Sequence, residues 1–403
     1  MDTADVGGLD ALGVAGVSEE DLTAVVGSAL GRRGLRLLGV RVHSITPPGS
    51  NITTGGLWRV SGGATAELGA GAGKGTIPFS VIAKLINSPL LWPGIEVVPQ
   101  EFRQLLADRY LWRTEAQAYA SALNTALPGN ARLPNIFRLT EIDGQRTLIW
   151  MEDVGGQGLD GWTDRHFADA AYVLGSLAGS PDVAACVDHV ADATDVQRIR
   201  FFLESVASQV FIPAITSEEV WQHPAVAAAA DPELISGLRG LADRSWELMD
   251  ELAALQQLPA HGDASPQNLL IEALPSAGHP TRFVMIDWGN FGRAPAGFDL
   301  AQLLAGRVNA GLMAGADLYR LSPLCLAAYC EGMADAGAEP ERAAVSRGHA
   351  AAMALFTGLS ALPFDQLGTP PRPKLERLEL GRLVAGRLDM ARFILALLDN
   401  GHG

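Results

Sequence analysis

Three polar residues flank two short apolar runs in this chain. Asp263 and Asn268 stand in "HGDASPQNLLI", and Asp287 closes "FVMIDWGN". Two strands and the turn-like piece "LPSAGHPT" fit between the acids, so a hairpin would bring Asp263, Asn268 and Asp287 to one place. Ionised carboxylates at the edge of a buried hairpin are costly unless paired or metal-bound. An acid, an amide and a second acid in this order suit phosphoryl transfer. The first acid accepts or orients the proton of an attacking hydroxyl, and the other two hold Mg²⁺ on nucleotide phosphates. Each piece alone is weak, because a lone Asp after a strand is usually a turn residue. The ordered set is far more specific.

These residues need a framework. Residues 1–17, rich in Gly, Ala and Asp, read as a loose, flexible tail. "SEEDLTAVVGSALGRR" reads as a helix with Ser18 as N-cap, acids in its first turn and Arg32 and Arg33 at its end. The β-branched runs "LLGVRVHSI", "LWRVSG" and "FSVIAKLI" predict a small antiparallel sheet. A long helical pattern over "VVPQEFRQLLADRYLWRTEAQAYASAL", broken or continuous, precedes two more strands, "NIFRLTEI" and "RTLIWMEDV". Beyond residue 156 the chain turns mostly helical, interrupted by the hairpin. The expected fold is α+β with two lobes: an N-lobe over 18–155 and a helical C-lobe over 156–403.

The Gly-rich piece "GAGAGKGT" fails as a Walker A loop. Leu68 stands where the first Gly belongs, Gly75 stands where Ser or Thr must meet Mg²⁺, and a strand follows rather than precedes it. It reads as a hairpin tip. The net charge of −15 and the lack of a Lys/Arg-rich run argue against nucleic acid as a partner. The start "MDTADVGGLDALG" lacks a signal peptide's pattern, and no run approaches the roughly 18–20 apolar residues of a membrane span. Cys186, Cys325 and Cys330 form no CxxC pair and, being odd in number, no disulfide framework. A cytoplasmic protein without membrane partners is the expectation.

The quoted motifs resemble the aminoglycoside phosphotransferase and choline kinase family, within the protein kinase-like superfamily. "HGDASPQNLLI" and "MIDWGNFGRAPAGFDLAQLL" carry the resemblance in order and spacing. It implies a kinase-like fold, ATP or GTP with Mg²⁺, Asp263 as catalytic base, and Asn268 and Asp287 as metal ligands. His261 and Gly262 would shape the loop, and Asp299 in "GFDLA" would cap the next helix. "SVIAKLI" offers Lys84 for the α- and β-phosphates, the only lysine between Lys74 and Lys374. "RTEAQAYASAL" offers Glu115 to hold that lysine, with Glu101 as the runner-up. "LIWMEDV" resembles the adenine-binding linker, where Glu152 and Asp153 would act through backbone N–H and C=O. Ser50 and Asn51, in "TPPGSNITTGG", would lie over the phosphates. Two departures stand out: Ala264 and Ser265 replace the Leu-His common in relatives, and Asp287-Trp288-Gly289 replaces Asp-Phe-Gly. Trp288 reads as a packing residue. Motifs cover roughly residues 40–310.

The acceptor is less legible. Residues 156–250 carry 15 acids against 5 arginines and no lysine. Such charge beside a site would attract a cationic acceptor; the blander reading is solvated helix faces. A small hydroxylated acceptor follows, either an antibiotic or related natural product such as an amino sugar, or a primary metabolite such as a sugar or choline. A catalytically silent module on the same fold is the third reading, and the complete set Lys84, Glu115, Asp263, Asn268 and Asp287 argues against it. Nothing distinguishes a monomer from a dimer.

Overall fold

The computed structural model describes residues 6–46, 51–66, 75–155, 161–190, 194–272, 281–367 and 377–400. The chain divides into two compact units: Met1–Ala120 with Leu133–Gly155, and Ser121–Arg132 with Gly156–Gly403.

The first unit is built on a six-stranded sheet. Its strands are β1 (Val6–Gly7), β2 (Leu35–Thr46), β3 (Thr54–Ala66) and β4 (Ile77–Asn87). After β5 (Ala131–Arg132), which belongs to the second unit, come β6 (Ile136–Asp143) and β7 (Arg146–Glu152). The order is β1-β2-β3-β4-β7-β6, antiparallel throughout. Alternate residues Val81, Ala83 and Leu85 of β4 turn inward onto Trp58, Val60, Leu148 and Trp150. Helix α1 (Glu19–Leu30) starts at Ser18, whose hydroxyl accepts from the Asp21 amide at 3.0 Å, and stops at Gly31 in the left-handed conformation. Arg32 and Arg33 therefore lie beyond the helix rather than in its last turn. The long helical pattern is broken into α2 (Gln100–Arg109) and α3 (Thr114–Ala120).

The flexible tail expected over residues 1–17 is corrected over its described part. Val6 and Gly7 pair with β2, Leu9–Ala15 form a 3₁₀ helix, and Leu12 and Ala15 are buried in the core of this unit. Two well-spaced apolar side chains suffice to dock a segment whose composition otherwise reads as loose.

In the second unit, the hairpin predicted from the motif is present. β9 (Leu269–Ile271) pairs antiparallel with β10 (Phe283–Met285), following β8 (Gln257–Ala260), and β11 (Gly292–Pro295) pairs back onto β8. β5 adds a parallel strand beside β10. Among the longer helices of this unit are α4 (Asp164–Gly179), α5 (Phe298–Asn309), α6 (Leu318–Asp335), α7 (Arg342–Met353) and α8 (Arg377–Asn400). α4 and α6 lie backbone to backbone: a Cβ at Gly175 would sit 1.9 Å from the Tyr329 carbonyl, and one at Gly332 would sit 2.1 Å from that of Tyr172.

The expectation about apolar runs also needs correcting. The continuous helical stretch Val196–Thr216 is long and apolar enough to cross a membrane by length and composition, with a mean hydropathy of 1.2. Charges at Arg198, Arg200 and Glu204 hide it from a simple count of apolar residues. Its Leu203–Phe211 part is π-helical. There Phe202 stacks on Phe356 at 4.6 Å and Phe211 on Phe364 at 6.1 Å, which seats the stretch against the rest of the unit.

Candidate active site

In the first unit, β4 and α3 bring two of the predicted residues together. Lys84, opposite Leu57 of β3 and Ile149 of β7, points its ammonium at the Glu115 carboxylate, 2.6 Å away. Both side chains are at least nine-tenths buried. Glu101, the alternative, is exposed on α2. A buried charge persists only when paired in this way.

The linker residues have defined partners. The Glu152 carboxylate accepts from the Asn135 amide nitrogens of backbone and side chain, both at 3.0 Å, and its own N–H donates to the Asn135 carbonyl at 2.9 Å. Asp153 takes a two-pronged ion pair from Arg59, at 2.7 and 3.0 Å, and a hydrogen bond from Ser80. Burial pushes the Asp153 carboxyl up, but the Arg59 and Ser80 hydrogen bonds outweigh it and hold the group below the usual carboxylate range. Both acids thus fasten the sheet through their side chains. Asn51 accepts from the Thr53 amide at 3.4 Å and lines a small pocket with Thr54, Gly55 and Asn87. Ser50 lies outside the described residues, as does most of "GAGAGKGT".

In the second unit, the loop between β8 and β9 carries Asp263 and Asn268. The Asn268 side-chain nitrogen donates to the Asp263 carbonyl at 2.9 Å, and its backbone carbonyl accepts from Ile286 at 2.9 Å. That second bond sets Asp287, the next residue, beside Asn268. Asp287 has φ 62° and ψ 57°, and is the one non-glycine among the described residues with positive φ. Such a conformation is costly for a residue with a Cβ and clusters at functional sites. Gly262 also needs positive φ (80°), and a Cβ there would lie 2.2 Å from the Asn290 carbonyl.

His261 is fully buried and shapes this loop. Burial drives its pKa down to about 4, so the ring is neutral. Its Nε2–H donates to the Ile286 carbonyl at 3.0 Å, and its Nδ1 accepts from the Asp263 amide at 3.3 Å. Trp288 packs on the imidazole at 4.5 Å, is itself buried, and donates from its indole to the Met285 carbonyl. It is a packing residue.

Asp299 departs from the expectation. The N-cap of α5 is Gly297, with φ 82°, and Asp299 makes no cap. Its carboxylate reaches instead to the loop, accepting from the His261 and Gly262 amides at 2.8 and 2.9 Å. Burial raises its pKa to about 6, against the pull of these two hydrogen bonds, and the Asp263 charge raises it further. The signal in the sequence was the acid itself; its partners lie 37 and 38 residues upstream, beyond the reach of any local rule.

Ala264 and Ser265, the small residues of the motif, are buried against α5. A Cβ at Gly306 of that helix would lie 2.6 Å from Pro266 and 3.2 Å from Ser265.

Seven of the fifteen acids over 156–250 are in ion pairs with arginines. Asp164, Asp169, Asp188, Glu218, Asp231, Glu247 and Asp250 each meet an arginine. Most of these pairs are exposed, as solvated helix faces are, so the acid count does not by itself make an anionic cleft.

No curated protein matches this sequence. Among solved structures, a microcompartment-associated aminopropanol kinase is similar at 13% identity, covering 91% of this chain and 93% of that one with a TM-score of 0.48. An aminoglycoside phosphotransferase from Alicyclobacillus acidocaldarius is similar at 16% identity (80% and 89% covered, TM-score 0.46). A choline kinase from Cryptosporidium parvum is similar at 14% identity (95% and 97% covered, TM-score 0.42). The model of the phosphotransferase enzyme family matches residues 112–344, more than half of the chain and the whole stretch from α3 through the loop between β8 and β9 to α6. The chain belongs to the phosphotransferase enzyme family.

Proposed function

We propose that this phosphotransferase carries the γ-phosphate of ATP to a hydroxyl of a small acceptor, an antibiotic or related natural product. The observation that carries the proposal is the loop of the second unit. Asp263, Asn268 and Asp287 are gathered on one hairpin whose backbone is clamped by Asp299 and His261.

In this reading Asp263 orients the acceptor hydroxyl and takes its proton. The acceptor oxygen forms the new bond to the γ-phosphorus, and the bond from that phosphorus to the β–γ bridging oxygen breaks, leaving with ADP. Lys84, held by Glu115, binds α- and β-phosphate oxygens. The linker backbone at Glu152 and Asp153 faces the base, and Asn51 the phosphates. The amide of Asn268 and the carboxylate of Asp287 fit Mg²⁺. They are hard oxygen donors, and the Asn268 nitrogen is already committed to Asp263, which leaves its oxygen as the ligand atom. When bound, the ion neutralises charge developing on the phosphates. The acid count of residues 156–250 does not by itself set the acceptor's charge, because seven of those acids are paired with arginines.

The test is an ATP-consumption screen over cationic, neutral and anionic hydroxylated acceptors, with products identified by mass spectrometry. Asp263→Asn is expected to lose at least about a thousandfold in kcat, about 4 kcal/mol of barrier, while binding nucleotide nearly as the wild type does. Turnover within a factor of about ten of wild type would remove Asp263 from the role of base.

A further inference from the structure

We propose that a second copy of this chain docks on the outer face of α1, the two helices lying antiparallel across a two-fold axis. Leu22, Val25 and Val26 bury the inner face of α1 in the core of the first unit, which leaves the opposite face to solvent. A groove of about 850 Å³ runs along that face. It leads from Glu19 and Glu20, past Ala24 and Gly27, to Arg32 and Arg33, and the start of β2 forms its other wall. The two ends of the groove carry opposite charge. Glu19 and Glu20 stand in the first turn of α1. At the far end Gly31 is left-handed and the Arg32 N–H donates to the Gly27 carbonyl at 2.9 Å, a cap that fixes where the arginines leave the helix. All four charged side chains are exposed, as is Arg36 on the β2 wall, and none makes an ion pair or side-chain hydrogen bond among the described residues.

This arrangement is complementary to itself. From Glu20 to Gly31 the chain runs about 16 Å along the helix axis. A two-fold axis through the middle of α1 sets the acids of one copy beside the arginines of the other, twice over. Parallel helices would set acid on acid and arginine on arginine. Between the ends, Ala24, Gly27 and Ser28 are too small to hold a second helix away. The chain carries a net charge of −15, so most of its surface repels a second copy; in this groove two acids face three arginines, and that repulsion is absent. The sheet gives an independent reason for a partner here. β1 pairs with β2 only at Val42 and His43, so residues 35–41 have no strand on their outer edge among the described residues. Proteins cover such an edge, often with a helix. In the antiparallel arrangement the first turn of one copy's α1 lies at the start of the other copy's β2 and covers it.

The experiment is analytical ultracentrifugation of the full chain over a range of protein concentrations, at low and at high salt. A reversible dimer is expected, and it should weaken as salt rises, because the Debye length falls from about 10 Å at 0.1 M to about 3 Å at 1 M. Two double variants, Glu19→Arg with Glu20→Arg and Arg32→Glu with Arg33→Glu, are each expected to self-associate at least tenfold more weakly than the wild type. Mixed together, they are expected to form a heterodimer at least as tight as the wild-type dimer, since each then offers the charge that the other lacks. Recovery on mixing also shows that both variants are folded. Ala24→Trp, at an exposed position in the middle of the face, blocks close approach without changing charge and is expected to leave a folded monomer, with a melting temperature near that of the wild type. A wild type that stays monomeric, a dimer that none of these variants weakens, or charge variants that fail to associate when mixed would each overturn the proposal. An acidic peptide that binds the wild type where no dimer forms would assign the face to a different protein and overturn it as well.

Discussion

At the scale of single residues, Asp299 shows how much of a loop can hang on one buried carboxylate. Its carboxylate accepts two backbone amides, one per oxygen. Asn at this position keeps the shape but has one acceptor oxygen and sets an NH₂ group against a backbone N–H. An unsatisfied buried donor costs about 1–3 kcal/mol. Asp299→Asn is therefore expected to cut kcat by at least about tenfold, or 1.4 kcal/mol, because the peptide bonds bearing Asp263 lose their anchor. The KM for nucleotide should change little, since Lys84 and Glu115 are untouched. Steady-state kinetics with product identification would check this split. A kcat equal to wild type would mean that His261 and Asn268 hold the loop without help.

At the scale of elements, the legible parts were those where a local pattern and a chemical need coincide. "SVIAKLI" alternates as a strand must, so Lys84 falls on one of its faces. "NLLIEA" and "FVMIDWG" are apolar runs bounded by turn residues, and they pair in the expected hairpin. Glu115 and Glu101 were harder to separate, because both follow helical spacing; the break between α2 and α3 at residues 110–113 decides it by giving each acid its own helix. The Lys84–Glu115 pair yields a prediction about this pairing of strand and helix. Removing one partner strands a charge among buried side chains, at about 3–5 kcal/mol, whereas replacing both with apolar groups of similar volume is often neutral. Lys84→Met and Glu115→Leu should each lower the melting temperature, and the double variant should melt above either single one. The double variant should nonetheless fail to turn over ATP. Scanning calorimetry with an ATPase assay tests both halves, and a double variant as unstable as the singles would show that the pair's charges are solvated.

At the scale of the whole chain, what escaped the sequence was long-range. Leu12 and Ala15 dock a segment that composition reads as loose, and residues 121–132 join the helical unit although strands of the sheet unit follow them. The count of acids suggested a field, whereas the fold brings arginines from as far away as Arg293, Arg320 and Arg392 to three of them. Burial of titratable groups is another such property, and it sets how the protein responds to acid. His349 is fully buried, its Nε2 is 3.2 Å from the Ser322 hydroxyl, and burial alone pushes its pKa from 6.5 down to about 4. His261 is lowered to about 4 as well. Between about pH 6.5 and 4 the unfolded chain binds protons at both imidazoles and the folded chain does not, so stability falls as pH drops through this window. Asp299 acts in the opposite sense. Its folded pKa is raised to about 6, so the folded state holds a proton that the unfolded state releases, and stability rises as pH falls from about 6 towards 3.8. Two histidines against one aspartate leave a net loss from these three groups on acidification. His349→Gln removes one of the two. It should reduce the drop in stability between pH 7.5 and pH 5 by about 2 kcal/mol, which is several degrees in melting temperature. Melting curves of wild type and variant at both pH values give the answer. Parallel losses in the two proteins would mean that the imidazole of His349 reaches water and titrates normally, and acid sensitivity would then rest with His261 and the exposed ion pairs.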